Sequence, residues 1–223
     1  MNNYVITIAR GFGSGGKQIG LMLSHELGVP CYDSQILALA SDYSGINKEL
    51  FHQVDEKLRG VSILKRIVKT RNIDHIIAPT EKKFVSDTNL FNIQAKIIKE
   101  LAQTQSCIII GKCANHILQD FDNVINIYVE APRKECRKNV MKIFGVTADG
   151  ADKMITQTDK YRSDYYKYYT GGEDWVNPML YDLTLNTAKI SRDQSADLII
   201  TYLKIRYGQD IVEKRGTELH MVI

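Results

Sequence analysis

Long apolar runs alternate with helical stripes along most of the chain. Tyr4-Val5-Ile6-Thr7-Ile8-Ala9 is continuous enough for a strand buried on both faces, and Ile19, Met22, Leu23 and Leu27 then recur at helical spacing. Gly28-Val29-Pro30 stops that helix, and Tyr32-Asp33-Ser34 reads as a short strand end entering a helix capped by Ser34 or Asp33. From about Ser41 to Val85 the pattern is helical without strand alternation: Leu50, Phe51, Val54 and Leu58, then Val61, Leu64, Ile67 and Val68. The core resumes at Thr88. Leu90, Ile93, Ile97, Ile98 and Leu101 lead into Cys107-Ile108-Ile109-Ile110, a central strand broken by Gly111 and followed by a helix through Ala114 and Ile117. Val124-Ile125-Asn126-Ile127-Tyr128-Val129 is a further strand, and Pro132 opens a helix carrying Cys136, Val140 and Phe144 that ends at Gly145. Val146 to Tyr169 is polar, charged and rich in tyrosine, with a break at Gly171-Gly172, and reads as a second excursion from the core. Tyr181 to Leu185 is a last short strand. Ser191 with Gln194 forms a capping box for a helix burying Ala196, Ile199, Ile200 and Leu203, which Gly208 ends. Alternation of strand and helix points to an α/β protein with a parallel sheet.

With 223 residues, 44% of them hydrophobic, the chain suits one α/β domain with insertions rather than two full domains. The formal charge of +3 implies neither nucleic acid nor membrane by itself. Lys57, Arg59, Lys65, Arg66, Lys69 and Arg71 crowd the first insertion, either as a surface for a phosphorylated acceptor or as a solvated helix face. Cys31, Cys107, Cys113 and Cys136 show no metal-binding spacing and are expected to be reduced structural thiols. His25, His52, His75, His116 and His220 form neither ligand spacing nor a triad. The opening strand follows no cationic leader, and no stretch reaches the ~18 apolar residues of a membrane span, so a cytoplasmic, soluble protein without a membrane partner is expected.

The chemistry concentrates between the first strand and the first helix. Gly11-Phe12-Gly13-Ser14-Gly15-Gly16-Lys17-Gln18 reads as a phosphate loop, its amides wrapping an anion at the helix start while Lys17 meets the outer phosphates. Gly11, Gly13 and Gly16 also fit the dinucleotide fingerprint, with Asp33 roughly 20 residues on as the ribose-binding acid. The position of Lys17, the very short run before Asp33 and the long helical insertion favour the phosphate loop. Gln18 occupies the place of the Ser or Thr that gives magnesium a hydroxyl. Either the metal is held by nucleotide, water and a carboxylate such as Asp33, or the loop binds phosphate without efficient transfer.

Several further motifs carry a resemblance over nearly the whole chain. Ile8-Ala9-Arg10-Gly11-Phe12-Gly13-Ser14-Gly15-Gly16-Lys17, Pro30-Cys31-Tyr32-Asp33, Ile109-Ile110-Gly111-Lys112-Cys113-Ala114 and Tyr181-Asp182-Leu183-Thr184-Leu185-Asn186-Thr187 together resemble the cytidylate-kinase-like family of phosphate-loop nucleoside monophosphate kinases. The resemblance implies a three-layer phosphate-loop kinase fold with a five-stranded parallel sheet, a helical acceptor-binding insertion over 41–85 and a lid over 146–172. It also implies ATP and Mg2+, and γ-phosphoryl transfer to CMP or dCMP. Departures are Gln18, Lys112 in place of arginine, and Tyr161 where a lid arginine is common. Lysine keeps the charge and loses the bidentate fork.

On this reading Gly11, Gly13, Ser14, Gly15, Gly16, Lys17 and Gln18 hold the donor phosphates, while Arg137 and Arg162 close over the reacting groups with Lys17. Arg10, Asp33 and Lys112 face the acceptor, Asp33 either orienting it, holding magnesium through water, or merely capping a helix. Gln94 could reach a base edge from its helix, but as a polar residue beside an apolar stripe it is expected to be exposed. Tyr161, Tyr165, Tyr166, Tyr168 and Tyr169 among basic residues suit either single-stranded nucleic acid or, better, a lid helix packing its rings on the core. Other readings are a degenerate nucleotide-sensing module, a kinase of another small phosphate acceptor, and a dinucleotide-dependent oxidoreductase.

Overall fold

The computed structural model describes residues 3–57 and 86–213. Five parallel strands, β1 (Val5–Arg10), β2 (Cys31–Tyr32), β3 (Cys107–Ile110), β4 (Val124–Glu130) and β5 (Leu183–Asn186), form one sheet in the order β2-β3-β1-β4-β5. Around it lie α1 (Gly16–Leu27), α2 (Gln35–Ser44), α3 (Lys48–Lys57), α4 (Asp87–Thr104), α5 (Ala114–Ile117), α6 (Arg133–Phe144), α7 (Ala148–Thr170), α8 (Arg192–Tyr207) and α9 (Asp210–Glu213). β1 is central, in register with β3 from Val5↔Cys107 and with β4 from Val5↔Val124.

The apolar runs have no polar face because both faces of the sheet are covered. Side chains alternate across it. Val5, Cys107, Ile109, Val124 and Tyr128 pack with α4, α5 and α7 on one side, whereas Ile6, Ile8, Ile108, Ile110, Ile125 and Ile127 pack with α1 and α8 on the other. This is a three-layer α/β fold with the strand order of a phosphate-loop kinase. A third apolar cluster joins α2, α3 and α4 through Leu37, Ala40, Phe51, Leu90, Ile93 and Ile97, and a fourth ties α6 to α7 through Cys136, Val140, Ala151 and Ile155.

Local signals mostly act as expected. Ser191 accepts from the Gln194 amide in a complete capping box, and Gly145, Gly171 and Gly208 stand at the C-caps of α6, α7 and α8. The last strand starts at Leu183 rather than Tyr181, because Tyr181 closes a 3-10 turn (Pro178–Leu180) and the Asp182 carboxylate accepts the Asn126 amide at 2.7 Å. Ser34 stands at the N-cap of α2 without a side-chain hydrogen bond, and Asp33 turns its carboxylate elsewhere. Of the insertion, the remainder of α2 and α3 are described; Leu58, Val61 and the basic cluster from Arg59 to Arg71 lie outside the described residues. The tyrosine-rich segment is one continuous helix, α7, and Tyr165, Tyr166 and Tyr169 are buried in the core, with Tyr169 stacked on Phe91 at 3.7 Å between centroids. Among the described residues no helix is long and apolar enough to cross a membrane.

Candidate active site

β1 delivers the chain to a glycine loop that neighbours hold by its carbonyls. Asn139 of α6 donates to the Gly13 carbonyl at 2.8 Å, Thr187 after β5 donates to the Ser14 carbonyl at 2.7 Å, and the Ser14 hydroxyl donates to the Gly11 carbonyl at 2.9 Å. Of the loop amides, Gly11 donates to the Val129 carbonyl at 3.1 Å and Ser14 to the Gly11 carbonyl at 3.3 Å. Gly15, at φ +94, is the N-cap of α1 and no side chain caps the helix. First-turn amides lack intrahelical partners, and the helix dipole adds partial positive charge there, so this end of α1 is a cradle for phosphate. A Cβ on Gly15 would lie 2.7 Å from Arg192 Nε, so that flexible side chain would have to shift, and the positive φ strains any residue other than glycine there. Lys17 is exposed on the first turn and Gln18 half-buried beside it.

Next to the loop, the C-terminal ends of β1, β2 and β3 open on a cavity of about 220 Å³ walled by Arg10, Asp33, Lys112, Asn115 and, from α7, Tyr161, Arg162 and Tyr165. This is the edge of a parallel sheet where ligands gather. Asp33 Oδ2 is 3.0 Å from Lys17 Nζ and its Oδ1 is 3.5 Å from Arg10 Nη2, so one carboxylate joins the phosphate loop to the cavity. Arg162 donates to the Arg10 carbonyl at 2.8 Å and sits 3.5 Å from Asp159. Burial, and then the neighbouring Arg162 guanidinium, pull Arg10 down to about 9, with Asp33 and Asp159 opposing. Burial likewise lowers Arg162. Both stay charged at neutral pH, and crowded, half-dried guanidiniums gain most from an incoming anion. Gly111, Lys112 and Cys113 follow β3 with φ of 73°, 60° and 55°, a left-handed run that costs roughly 1–3 kcal/mol per non-glycine residue and turns the chain along the cavity wall.

Of the expected residues, Arg10, Asp33, Lys112 and Arg162 meet at this cavity, and Lys17 joins them through Asp33. Arg137 does not line it: its guanidinium meets Asp152 of α7 at 2.9 Å and is 40% exposed, beside Arg133, which holds the same carboxylate at 2.8 Å. Gln94 is 1% exposed, the reverse of the expectation, because α4 is covered on both of its apolar stripes. Sequence reasoning missed three residues. Glu130, last in β4, accepts from Tyr128 at 2.7 Å and presses on Gly11; its hydrogen bond adds to the burial that holds the Tyr128 phenol far above its ordinary value. Asp159 accepts the Phe12 amide at 2.8 Å, and burial raises its carboxyl despite that bond. Its i, i+3 spacing from Arg162 was the available signal. Arg192 over Gly15 had none.

The loop fits a nucleotide's phosphates by its uncapped helix end, its left-handed Gly15 and its lysine. For magnesium the protein offers less: Gln18 brings an amide where a hydroxyl is usual, and among the described residues no group of three or more His, Cys, Asp or Glu is arranged for a metal. Such a metal would be carried chiefly by the phosphates, with Asp33 as the carboxylate that reaches Lys17.

The fold has relatives among solved structures. An uncharacterized protein from Eubacterium ventriosum ATCC 27560 matches with a TM-score of 0.65 and 24% identity over 91% of this chain and 99% of its own. Shikimate kinase from Bacteroides thetaiotaomicron matches with a TM-score of 0.50 and 11% identity over 90% of this chain and 98% of its own, likeness in fold alone. No curated protein matches the sequence significantly. The sequence profile of the cytidylate kinase-like family matches residues 5–189, a span that includes the loop, the cavity walls and the α6–α7 pair. That match supports kinase-type phosphoryl transfer, for which ATP and Mg2+ are the general requirement. By that match and this fold, the chain belongs to the cytidylate kinase-like family.

Proposed function

We propose that the protein transfers the γ-phosphoryl group of ATP to a nucleoside monophosphate, CMP or dCMP foremost. The observation that carries this reading is the continuity of positive charge from the phosphate loop into the cavity, with Lys17 and Arg10 on the two sides of one carboxylate, Asp33. A donor phosphate on the loop and an acceptor phosphate in the cavity would meet across that junction.

In this reaction an oxygen of the acceptor phosphate forms the new bond to the γ-phosphorus as the bond to the β,γ-bridging oxygen breaks, and ADP leaves. The nucleophile is already an anion, so no general base is needed; what is needed is positioning and charge stabilisation. The amides from Gly13 to Lys17 hold the donor, and Lys17 stabilises charge on the β- and γ-oxygens. Arg10 and Lys112 hold the acceptor phosphate, and Arg162 meets the transferring group from α7. Asp33 keeps Lys17 and Arg10 at their separation and yields them to the phosphates. Magnesium bound with the nucleotide would supply charge neutralisation, with Asp33 as the carboxylate that would help hold it. We assign the insertion over 41–85 to acceptor binding and the 146–172 segment to a lid whose closure excludes water, the Asp152 link to Arg133 and Arg137 making α6 and α7 move together.

A second reading is supported by Gln18 and by the pairing of Lys17 with Asp33: a module that binds nucleotide and does not turn it over. ADP release from ATP and magnesium, followed with CMP, dCMP, UMP, AMP, GMP and no acceptor, separates the two. Release that depends on CMP or dCMP is expected. ATP binding with no release on any acceptor would overturn the kinase reading in favour of the module, and release on another phosphate acceptor would reassign the substrate.

A further inference from the structure

Arg192 is the first residue of α8, and in the free protein its charge is placed unfavourably. A cation in the first turn of a helix opposes the helix dipole. The same guanidinium lies over the N-cap of α1, a second positive helix end: a Cβ on Gly15 would be 2.7 Å from its Nε and 3.5 Å from its Cζ. Arg10, Arg133, Arg137, Arg162 and Arg206 each meet a carboxylate, whereas Arg192, half-buried, has neither an ion pair nor a hydrogen bond among the described residues. A guanidinium carries five N–H donors and no acceptor, so a half-buried one without a protein partner is stabilised most by an anion.

Gly15 presents the matching half of an anion site. Its amide donates to no group among the described residues. Arg192 is also held in place: Thr187 pins the chain after β5 to the loop through the Ser14 carbonyl at 2.7 Å, and the capping box of Ser191 and Gln194 fixes the start of α8. The order of the sheet says which part of a ligand would come there. The acceptor cavity opens at the ends of β1, β2 and β3, whereas Arg192 follows β5, at the other edge of the sheet. A donor on the loop turns its γ-phosphate toward the cavity, which leaves its inner phosphates toward β4 and β5.

We infer that Arg192 grips the inner phosphates of the donor, a nucleoside triphosphate, from the side of the loop away from the acceptor. Its planar fork can take two oxygens of a phosphate group at once, which a lysine cannot. The inference rests on the donor half of the proposed function and is independent of the acceptor's identity.

The test compares wild type with Arg192→Met, which keeps an apolar stem over Gly15, and Arg192→Lys, which keeps the charge. Each is titrated calorimetrically with ATP and with CMP, inorganic tripolyphosphate is competed against ATP, and the ligand-free proteins are melted. Arg192→Met should bind ATP and tripolyphosphate both roughly 10-fold or more weakly, with CMP within about two-fold of wild type, and Arg192→Lys should fall between. Removing an unpaired cation from two helix N-termini should hold or raise the melting temperature of Arg192→Met. A lower melting temperature there would give Arg192 a partner within the chain and overturn the inference. Unchanged affinity for both ligands would overturn it too, and so would weakening of ATP alone, which puts Arg192 on the nucleoside instead of the phosphates. Wild type that binds ATP and transfers to no acceptor would remove the kinase reading and leave this inference standing; wild type that binds neither ATP nor tripolyphosphate would remove the donor site and this inference with it.

Discussion

A single methyl group at Gly111 tests the cavity's geometry without replacing any charged residue. Gly111 ends β3 at φ +73, and a Cβ there would overlap Nη1 of Arg10. The Gly111→Ala change therefore has two costs. Forcing a Cβ into the left-handed region costs about 1–2 kcal/mol. The second cost is specific: Arg10 must swing away from Asp33, now 3.5 Å from it, and from the cavity. Charge-assisted hydrogen bonds of this kind contribute about 1.5–3 kcal/mol, or roughly 10- to 150-fold in acceptor affinity. Gly145→Ala is the control, since Gly145 has φ +67 and nothing within 4 Å of its Cβ, so only the backbone cost applies. Thermal melts should show both variants down by roughly 2–8 °C. Steady-state kinetics with varied CMP and saturating ATP should show a raised KM for the acceptor in Gly111→Ala alone, with the KM for ATP unchanged in both. An acceptor KM equal to wild type in Gly111→Ala, or equally raised in the control, would refute the placement of Arg10 as an acceptor contact.

Other residues make separate predictions. Lys17→Ala removes the point charge on the outer phosphates and should cut turnover by about 10²–10³ while weakening ATP binding in calorimetry; unchanged turnover would remove the loop from the reaction. Gln18→Ser restores a hydroxyl and should raise kcat and lower the magnesium concentration for half-maximal rate; a fall would give the amide a role of its own. His116 is half-buried against Tyr166, with Glu173 at 3.6 Å and Asp120 nearby, and desolvation holds it below its ordinary value of 6.5. The unfolded chain binds that proton more readily, so this contribution to stability is complete above the ordinary value and lost as pH falls through it. Melting from about pH 7.5 to about pH 5 should therefore show a smaller loss in His116→Gln than in wild type.

Much of the fold was legible because its signals are local. Cys107–Ile110 is a continuous apolar run and Val124–Val129 is broken only by Asn126, a pattern that a sheet covered on both faces requires, and the glycine loop between β1 and α1 carries its own stereochemistry. The site was legible where residues flank strand ends: Arg10 ends β1 and Lys112 comes just after β3, in the motifs that carry the resemblance. Side-chain partnerships across the fold were not. Asp33 looked equally like a helix cap because a capping position is a local property, whereas its pairing with Lys17 and Arg10 arises from the β1-β3-β2 packing. Arg137 looked like a free cation because Asp152 lies on the next helix. Gln94 looked exposed because a helix with two buried stripes has the same periodicity as a helix with one broad stripe, and only the opposing α2 and α7 show which it is.

The central claim is that the loop and the cavity are two halves of one phosphoryl-transfer site. Calorimetric titration with a bisubstrate analogue, adenosine and cytidine joined through five phosphates, tests it most directly. Binding at least ~100-fold tighter than ATP, competed by ATP and by CMP separately, is the predicted result. Affinity no greater than that of ATP, with CMP unable to compete, would contradict the claim.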